Sequence, residues 1–321
     1  MSQPLAKPNS PLFSSGPCKK RPGWKIVNLS TNVLGRSHRA KDAKSKLNLI
    51  IEKSKSILNL PKDYKVGIVA GSDTGAIEAA MWTMLGERKV EVLGWENFGY
   101  DWINDIKDQL QLKNLIVHKS DYGFLPDLRK INFDHDVVFN WNGTSSGVCV
   151  PNGDWIPNNR KGLTFCDATS AVFAMKMNFE KLDIITWSWQ KVLGGEAAHG
   201  MIALSPRALK RLISYEPNWP IPKIFRLANK KKISEGVFKG ETINTPSMLC
   251  AEDVLDSLMW LESIGGESEA IKRSQRNLQV IKDWIKDKSW IEFLAEDSKT
   301  ISSSSICLKI VDKKFTELTD E

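Results

Sequence analysis

Cysteine is scarce in this 321-residue chain, and its placement gives no sign of a covalent or metallic framework. The five cysteines are odd in number and scattered, with no Cys-x-x-Cys pair and no histidine beside them at metal-ligand spacing. They are Cys18, Cys149, Cys166, Cys250 and Cys307. We therefore expect neither a disulfide scaffold nor a structural zinc site, and we predict no bound metal.

Long hydrophobic runs are also lacking. No segment approaches the roughly 20 uninterrupted apolar residues of a membrane-spanning helix. Residues 184–189, for example, form a short apolar run that lies between Lys181 and Lys191. Residues 1–11 lack the apolar core that a secretory signal requires. These absences predict a soluble, cytoplasmic protein with no membrane partner.

The composition is that of a folded globular protein. Hydrophobic residues make up 41% and charged residues 26% of the chain, which excludes disorder and collagen. Lysine and arginine outnumber aspartate and glutamate by 45 to 38, giving a net charge of +7. The basic residues are spread out, with short runs at 19–21 and 230–232. This balance favours a solvated surface first, an anionic small substrate second and nucleic acid a distant third.

The pattern between about residues 63 and 213 predicts an α/β fold with a mostly parallel sheet. Apolar runs of strand length alternate there with longer amphipathic stretches. The predicted strands are 66–70, 90–94, 115–118, 137–141, 163–166, 184–189 and 201–204. A helix is predicted at 74–85, because its apolar side chains recur at helical spacing.

The last third of the chain predicts a smaller C-terminal α+β domain. After a proline-rich turn, Thr245 and Pro246 are typical of a helix N-cap and a first helical residue. The helix should end at Gly265 and bury the apolar side chains Met248, Leu249, Val254, Leu255, Leu258, Met259 and Leu261. A second helix at 267–286 and strands near 290–294 and 305–311 follow.

Three units are therefore predicted: an N-terminal arm at 1–20, a large domain at 21–245 and a small domain at 246–321. We expect the small domain to be incomplete, because the sequence ends soon after its second strand.

Polar loops follow four of the predicted strands, at the sheet edge where parallel α/β proteins gather their functional groups. These loops are 71–75, 142–147, 167–170 and 190–195. Each has a plain structural explanation: a helix N-cap at 71–75, a turn at 142–147, an N-cap by Asp167 and a Lys191 that extends to solvent. Each also has a functional explanation. In it, 71–75 binds a phosphate, 142–147 contacts a ligand, Asp167 meets a positive or hydrogen-bonded group and Lys191 acts as a nucleophile.

Taken together, the loops predict a site for pyridoxal phosphate. This cofactor has a phosphate for 72–74, a ring nitrogen for Asp167 and an aldehyde for Lys191. An aromatic side chain among Phe98, Tyr100 and Trp102 could stack on the ring, although core packing is the commoner use of each.

Several short motifs occur in a specific order along nearly the whole chain: 13–17 (Phe-Ser-Ser-Gly-Pro), 37–39 (Ser-His-Arg), 142–144 (Asn-Gly-Thr), Asp167, 188–191 (Ser-Trp-Gln-Lys) and 244–246 (Asn-Thr-Pro). On these motifs the chain resembles the phosphoserine aminotransferase family, within the class V aminotransferases of the fold type I pyridoxal phosphate enzymes. The resemblance implies a mostly parallel central sheet flanked by helices, with a smaller C-terminal domain.

The resemblance also implies a role for each matching residue at the cofactor. Lys191 would bind the cofactor as a Schiff base, Asp167 would face the pyridine nitrogen and Trp102 would stack on the ring. Thr144 would bind on the side of the phenolic oxygen. The phosphate would be held by Asp73, Thr74 and Gln190. For Asp73 the backbone N–H is the expected donor, because a carboxylate beside a phosphate is unfavourable.

Other matching residues are implied to act on the substrate or across a subunit boundary. His38 and Arg39 would bind substrate carboxylate or phosphate, for which the arginine fork is well suited. Asn244 and Thr245 would reach the phosphate of a neighbouring subunit, which implies a homodimer with shared sites. Family members also carry a Gly-Leu-Arg segment near their C-terminus, whereas this sequence has no arginine after Arg276. We interpret this as truncation.

The implied reaction is amino transfer between glutamate and 3-phosphohydroxypyruvate in serine biosynthesis. The related step that gives 4-phosphohydroxythreonine in pyridoxine biosynthesis is not distinguished by the sequence. Another class V enzyme, such as an alanine or serine:glyoxylate aminotransferase or a cysteine desulfurase, is the alternative. A desulfurase would need a cysteine on a mobile loop, and Cys250 and Cys307 are predicted to lie in a helix and a strand. A basic nucleic-acid-binding protein is the non-enzyme alternative, and nucleic acid is not expected as a partner.

Overall fold

The computed structural model describes residues 16–312. The strands are β1 (Lys65–Ala70), β2 (Val90–Gly94), β3 (Leu115–Lys119), β4 (Asp136–Asn140), β5 (Asn142–Gly143), β6 (Val148–Cys149), β7 (Thr164–Asp167), β8 (Ile184–Ser188), β9 (His199–Leu204), β10 (Ala228–Asn229), β11 (Lys232–Ile233), β12 (Ile291–Phe293) and β13 (Leu308–Ile310). The helices are α1 (Lys41–Ile57), α2 (Ser72–Met84), α3 (Asn97–Asn104), α4 (Pro206–Ser214), α5 (Met248–Ser263) and α6 (Gly266–Ile285).

The main sheet has seven strands in the order β1-β9-β8-β7-β4-β2-β3. Strands β3, β2, β4, β7 and β8 run parallel to one another, and β9 is antiparallel to both β8 and β1. Strands β2, β4, β7, β8 and β9 are buried along their whole length, as expected of a sheet covered on both faces. The predicted mostly parallel sheet is confirmed, as are its seven strands.

Helices cover both faces of this sheet, and each face has its own hydrophobic core. Successive side chains of β1 point to opposite faces, so Ile68 belongs to one core and Val69 to the other. Helices α1 and α5 pack on the Ile68 face, while α2, α3 and α4 pack on the Val69 face. The strand ends are therefore held between two packed layers.

Helix α5 begins two residues later than the sequence predicts. Its N-cap is Ser247, whose hydroxyl oxygen accepts from the N–H of Cys250 at 3.3 Å, so the assignment of Thr245 as N-cap and Pro246 as first helical residue is wrong. The N–H of Ser247 donates to Nε2 of His199 at 3.0 Å. This bond holds the segment before α5 in a non-helical conformation.

The predicted buried face of α5 is also partly wrong. Leu249 and Met259 are 44% and 49% exposed. The buried face carries acidic side chains instead, because each has a cationic partner: Glu252 pairs with Lys46, and Asp253 accepts from Lys20 at 2.7 Å. A hydrophobicity pattern cannot detect such compensated charges.

The elements predicted for the C-terminal part are present. Helix α6 follows α5 directly, and β12 pairs with β13 in antiparallel register. A serine-rich segment before β13 joins this part to the β5–β6 hairpin, since the N–H of Ser302 donates to the carbonyl of Gly147 at 2.9 Å. The boundary at residue 245 stays a prediction, and the N-terminal arm lies largely outside the described residues.

Across residues 16–312, no helix is both long enough and apolar enough to cross a membrane.

The N-cap assignment predicts that alanine substitution at Ser247 and at Thr245 changes the free energy of unfolding by different amounts. Ser247→Ala removes the hydroxyl that caps α5 and should lower the free energy of unfolding by about 1 kcal/mol. Thr245→Ala, at an exposed position, should change it by less than about 0.5 kcal/mol. Urea unfolding of the cofactor-free protein measures both. A larger loss for Thr245→Ala than for Ser247→Ala would contradict the cap assignment.

Candidate active site

The polar loops that follow β1, β4, β7 and β8 meet at one edge of the sheet, as the parallel arrangement requires. Asp167 is the last residue of β7 and lies beside Asn140 of β4 and Thr186 of β8. The backbone N–H of Trp141 donates to the Asp167 carbonyl at 2.8 Å. Loops distant in sequence therefore lie around a single carboxylate.

The carboxylate of Asp167 is buried, with a relative exposure of 7%. Its Oδ1 accepts from the N–H of Thr169 at 3.0 Å, and its Oδ2 accepts from the indole Nε1–H of Trp102 at 3.1 Å. Trp102 lies on α3 and is itself buried. Two neutral donors thus orient this carboxylate without neutralising it, and the predicted ring-binding pair of Asp167 and Trp102 is brought together.

The turn after β1 has the geometry of an anion site. Gly71 has φ +81°, which glycine adopts without strain, and α2 begins at the next residue. The first N–H groups of a helix have no acceptor within it, so the amides of Asp73 and Thr74 lie at the positive end of the helix dipole. A Cβ on Gly200 would lie 2.1 Å from the Ser72 carbonyl oxygen, so β9 approaches this turn closely only because residue 200 is glycine.

Lys191 lies on a tight turn just beyond β8. Its carbonyl accepts from Gly194 N–H at 2.8 Å, and the carbonyl of Gln190 accepts from Cys18 N–H at 2.7 Å. The Gln190 side-chain oxygen accepts from the Ser188 hydroxyl, which orients that amide. These bonds fix the backbone on both sides of the lysine.

A cavity of about 280 Å³ joins Lys191 to the loop after β4. Its lining residues come from the N-terminal segment, the polar loops and the serine-rich segment before β13: Gly16, Cys18, Thr144, Ser170, Lys191, Val192, Ser304, Ser305, Ile306 and Cys307. Thr144 and Ser170 share a hydrogen bond of 2.8 Å between their hydroxyls. A basic amine and several hydroxyl groups thus face one small volume.

Comparison with known proteins supports the interpretation of this geometry. No protein-family model matches the chain. A phosphoserine aminotransferase from Methanosarcina barkeri is 55% identical over 318 residues, which cover 98% of this chain and 86% of that protein. One from Methanosarcina mazei is 54% identical over the same length, with the same coverage. The chain belongs to the phosphoserine aminotransferase family.

Solved structures agree on the fold. A phosphoserine aminotransferase from Cytophaga hutchinsonii superposes with a TM-score of 0.74 at 21% identity, covering 86% of this chain and 76% of that one. One from Bacillus circulans subsp. alkalophilus gives 0.72 at 16% identity, with coverages of 88% and 76%. The predicted family and fold class are confirmed.

Of the residues to which the resemblance assigns a role, only Thr144 and Lys191 line this cavity among residues 16–312, and four of the others lie outside the loops that follow the strands. His38 and Arg39 are on a turn before α1, where Arg39 is exposed. Asn244 and Thr245 precede α5, and Thr245 is exposed. Among the described residues, the cavity lining includes none of these four. The Oδ1 atom of Asn244 is buried yet has no hydrogen-bond partner within residues 16–312.

Sequence reasoning missed Glu96, which holds the loop after β4 in place. Glu96 is fully buried, and its carboxylate accepts from Gly99 N–H at 2.9 Å, from Asn140 Nδ2 at 3.0 Å and from the hydroxyl of Ser145 at 2.7 Å. Burial raises the pKa of Glu96, while the bonds from Gly99 and Ser145 oppose the rise. Glu96 is the N-cap of α3, but glutamate is not a favoured N-cap residue, so no local sequence pattern indicated this role.

His199 was missed as well. It is buried in β9, packs edge-on against Trp189 with ring centroids 4.9 Å apart and accepts from Ser247 N–H. Burial lowers the pKa of His199, which favours the neutral ring needed for that acceptor role. One imidazole therefore links the Lys191 turn to the segment before α5.

The close approach at Gly200 predicts a specific effect of a single methyl group. In Gly200→Ala the added Cβ would collide with the Ser72 carbonyl, so the start of α2 must shift and pyridoxal phosphate should bind at least about tenfold more weakly. Gly153→Ala is the matched control, since its Cβ would be no closer than 3.4 Å to a neighbour. Cofactor titration followed by absorbance measures both, and equal affinities would contradict the phosphate assignment.

Proposed function

We propose that this chain catalyses amino transfer between glutamate and 3-phosphohydroxypyruvate, giving 2-oxoglutarate and O-phosphoserine, with pyridoxal phosphate as cofactor. The observation that carries the proposal is the set of Lys191, Asp167 and the α2 N-terminus at one sheet edge, in a chain 55% identical to a phosphoserine aminotransferase. A structure of the Trichomonas vaginalis phosphoserine aminotransferase is described as bound to this cofactor. The reaction needs a small-molecule site, and both substrates are anions, which suits a chain of net charge +7.

The donor set of the site fits pyridoxal phosphate. Asp167 is a buried carboxylate already held by two hydrogen bonds, so it can face a protonated ring nitrogen without further reorganisation. The amides of Asp73 and Thr74 suit the phosphate, together with the Gln190 side chain that Ser188 orients. Thr144 lies on the cavity wall shared with Lys191. When bound, the cofactor supplies an electron sink for the negative charge left when the substrate loses its α-proton.

Lys191 would bind the cofactor covalently and then act as the general acid and base. Once substrate has replaced it on the cofactor, its Nζ atom is available to move the proton from the substrate α-carbon to the cofactor. The turn bonds at Gln190 and Gly194 keep the Lys191 backbone in place during that exchange.

We propose that some of the side chains that bind the substrate at each site come from a second copy of the chain. His38, Arg39, Asn244 and Thr245 match substrate or phosphate positions of the family, and Arg39 and Thr245 are exposed on the surface of this chain. In a symmetric dimer each subunit can lend the same surface residues to its partner's site. We therefore propose a homodimer with two shared sites, located in the cytoplasm.

Mixing two inactive variants tests both the reaction and the sharing of sites. Lys191→Ala lacks the covalent anchor. Arg39→Ala should lose about tenfold to a hundredfold in activity, because it removes a charged hydrogen-bond partner of the substrate. If Arg39 acts across the dimer, a dimer of one Lys191→Ala chain and one Arg39→Ala chain has one site in which both Lys191 and Arg39 are intact. Unfolding and refolding an equal mixture should then restore about a quarter of wild-type phosphoserine formation.

The outcome distinguishes three cases. Recovery to that level supports the shared site, and no recovery above the Arg39→Ala background contradicts it. Lack of phosphoserine formation by the wild-type protein with saturating cofactor would contradict the proposed reaction itself. A mixture of Lys176→Ala and Arg39→Ala controls for activity lost during unfolding and refolding. Lys176 suits this purpose, since it is exposed and does not line the cavity with Lys191.

A further inference from the structure

A second acidic side chain lies behind Asp167. Asp73, in the first turn of α2, is only 5% exposed, and its carboxyl faces the carboxyl of Asp167. The hydroxyls of Thr169 and Thr186 face the same carboxyl. Family reasoning assigned Asp73 only a backbone contact with phosphate, so its side chain has no role in the site described above.

This cluster contains several polar atoms without partners. Oδ1 of Asp73 and the hydroxyl oxygens of Thr169 and Thr186 are buried, and none of the three has a hydrogen bond within residues 16–312. Buried polar atoms are rarely left in this state, because each costs free energy unless it is paired. The cluster therefore has the capacity to hold a proton between its oxygens.

The charges at the site limit how many of the two carboxyls, those of Asp73 and Asp167, can be ionised. Two adjacent buried carboxylates would be strongly unfavourable, since burial and mutual repulsion both oppose ionisation. The protonated ring nitrogen of the cofactor brings one positive charge and can balance only one of them. The dipole of α2 favours an anion at Asp73, but by no more than about 2 kcal/mol even for a buried group. One carboxyl of the pair must be neutral.

We propose that Asp73 is kept as the neutral carboxylic acid and donates its hydrogen to Asp167, so that the pair presents a single negative charge to the cofactor's ring nitrogen. The second half of this statement depends on the proposed function, and the first half does not. Asp73 is then a positioning residue: its O–H donates to Asp167 and fixes the orientation of that carboxylate.

The groups around the pair support the assignment. Burial first, and then the charge of Asp167, hold the pKa of Asp73 well above its usual range. The neighbouring Cys166 thiol is fully buried, and burial raises its pKa, so it stays neutral. On the α3 side, Asp167 is near enough to Glu96 for its charge to help raise the pKa of Glu96. The hydroxyls of Thr169 and Thr186 act in the opposite direction and lower the pKa of Asp73, but burial and the charge of Asp167 outweigh them.

A neutral Asp73 makes folding take up a proton. In the unfolded chain this side chain ionises above about pH 4, whereas in the folded protein it stays protonated to a much higher pH. Its contribution therefore lowers the stability progressively as the pH rises above about 4, until the folded-state pKa is reached. Asn has the same shape, carries no charge and can donate to Asp167, so it should remove this pH-dependent loss.

The experiment is thermal unfolding of the cofactor-free protein between pH 5 and 8. Asp73→Asn should melt above the wild type by about 2 °C or more at pH 8, with a smaller difference at pH 5. Asp73→Ser, which keeps a hydroxyl donor in a smaller side chain, should show the same trend with pH. Asp154→Asn, at an exposed loop position, is the matched control and should show no trend.

A melting temperature of Asp73→Asn that falls below that of the wild type increasingly with pH would overturn the proposal, because it would mean that a stabilising anion had been lost. A difference independent of pH would also overturn it. These measurements need no cofactor, so they stay informative if the proposed function fails. In the loaded protein, Asp73→Asn should retain the wild-type pH dependence of cofactor absorbance, whereas Asp73→Ala should shift it.

Discussion

The buried carboxylate of Asp167 is the constraint on which the site depends. A negative charge at the end of an interior strand is costly, and two neutral donors, Thr169 and Trp102, orient it without cancelling it. Such a group suits a cationic partner. A protonated pyridine ring is that partner, and the surrounding residues can be understood as holding the rest of the same molecule.

The fold brings those residues to Asp167 through strand order. Parallel strands β4, β7 and β8 end at one edge, so the loop of Thr144 and the turn of Lys191 flank β7 on either side. The antiparallel β9 then brings β1 and its helix N-terminus to the same place, at a distance that only glycine at position 200 permits. Glu96 connects the loop after β4 to α3 and so couples Thr144 to Trp102.

Sequence reasoning reached the sheet and the centre of the site because both follow from local patterns. Buried parallel strands are short continuous apolar runs, and the residue after each run lies at the functional edge. What it missed depends on pairs distant in sequence. Asp253 is buried on α5 because Lys20 pairs with it, and Ser247 rather than Thr245 caps that helix while His199 binds its N–H. The roles of Arg39 and Thr245 stay predictions, because both side chains are exposed in a single copy of the chain.

The most direct test of the central claim is to locate the covalent bond between the chain and its cofactor. The protein is loaded with pyridoxal phosphate, reduced with borohydride and mapped by peptide mass, before and after addition of glutamate. We expect modification at Lys191 before glutamate is added, and loss of that modification once glutamate has converted the cofactor to its amine form. Modification at another lysine, or none after prolonged incubation with the cofactor, would contradict it.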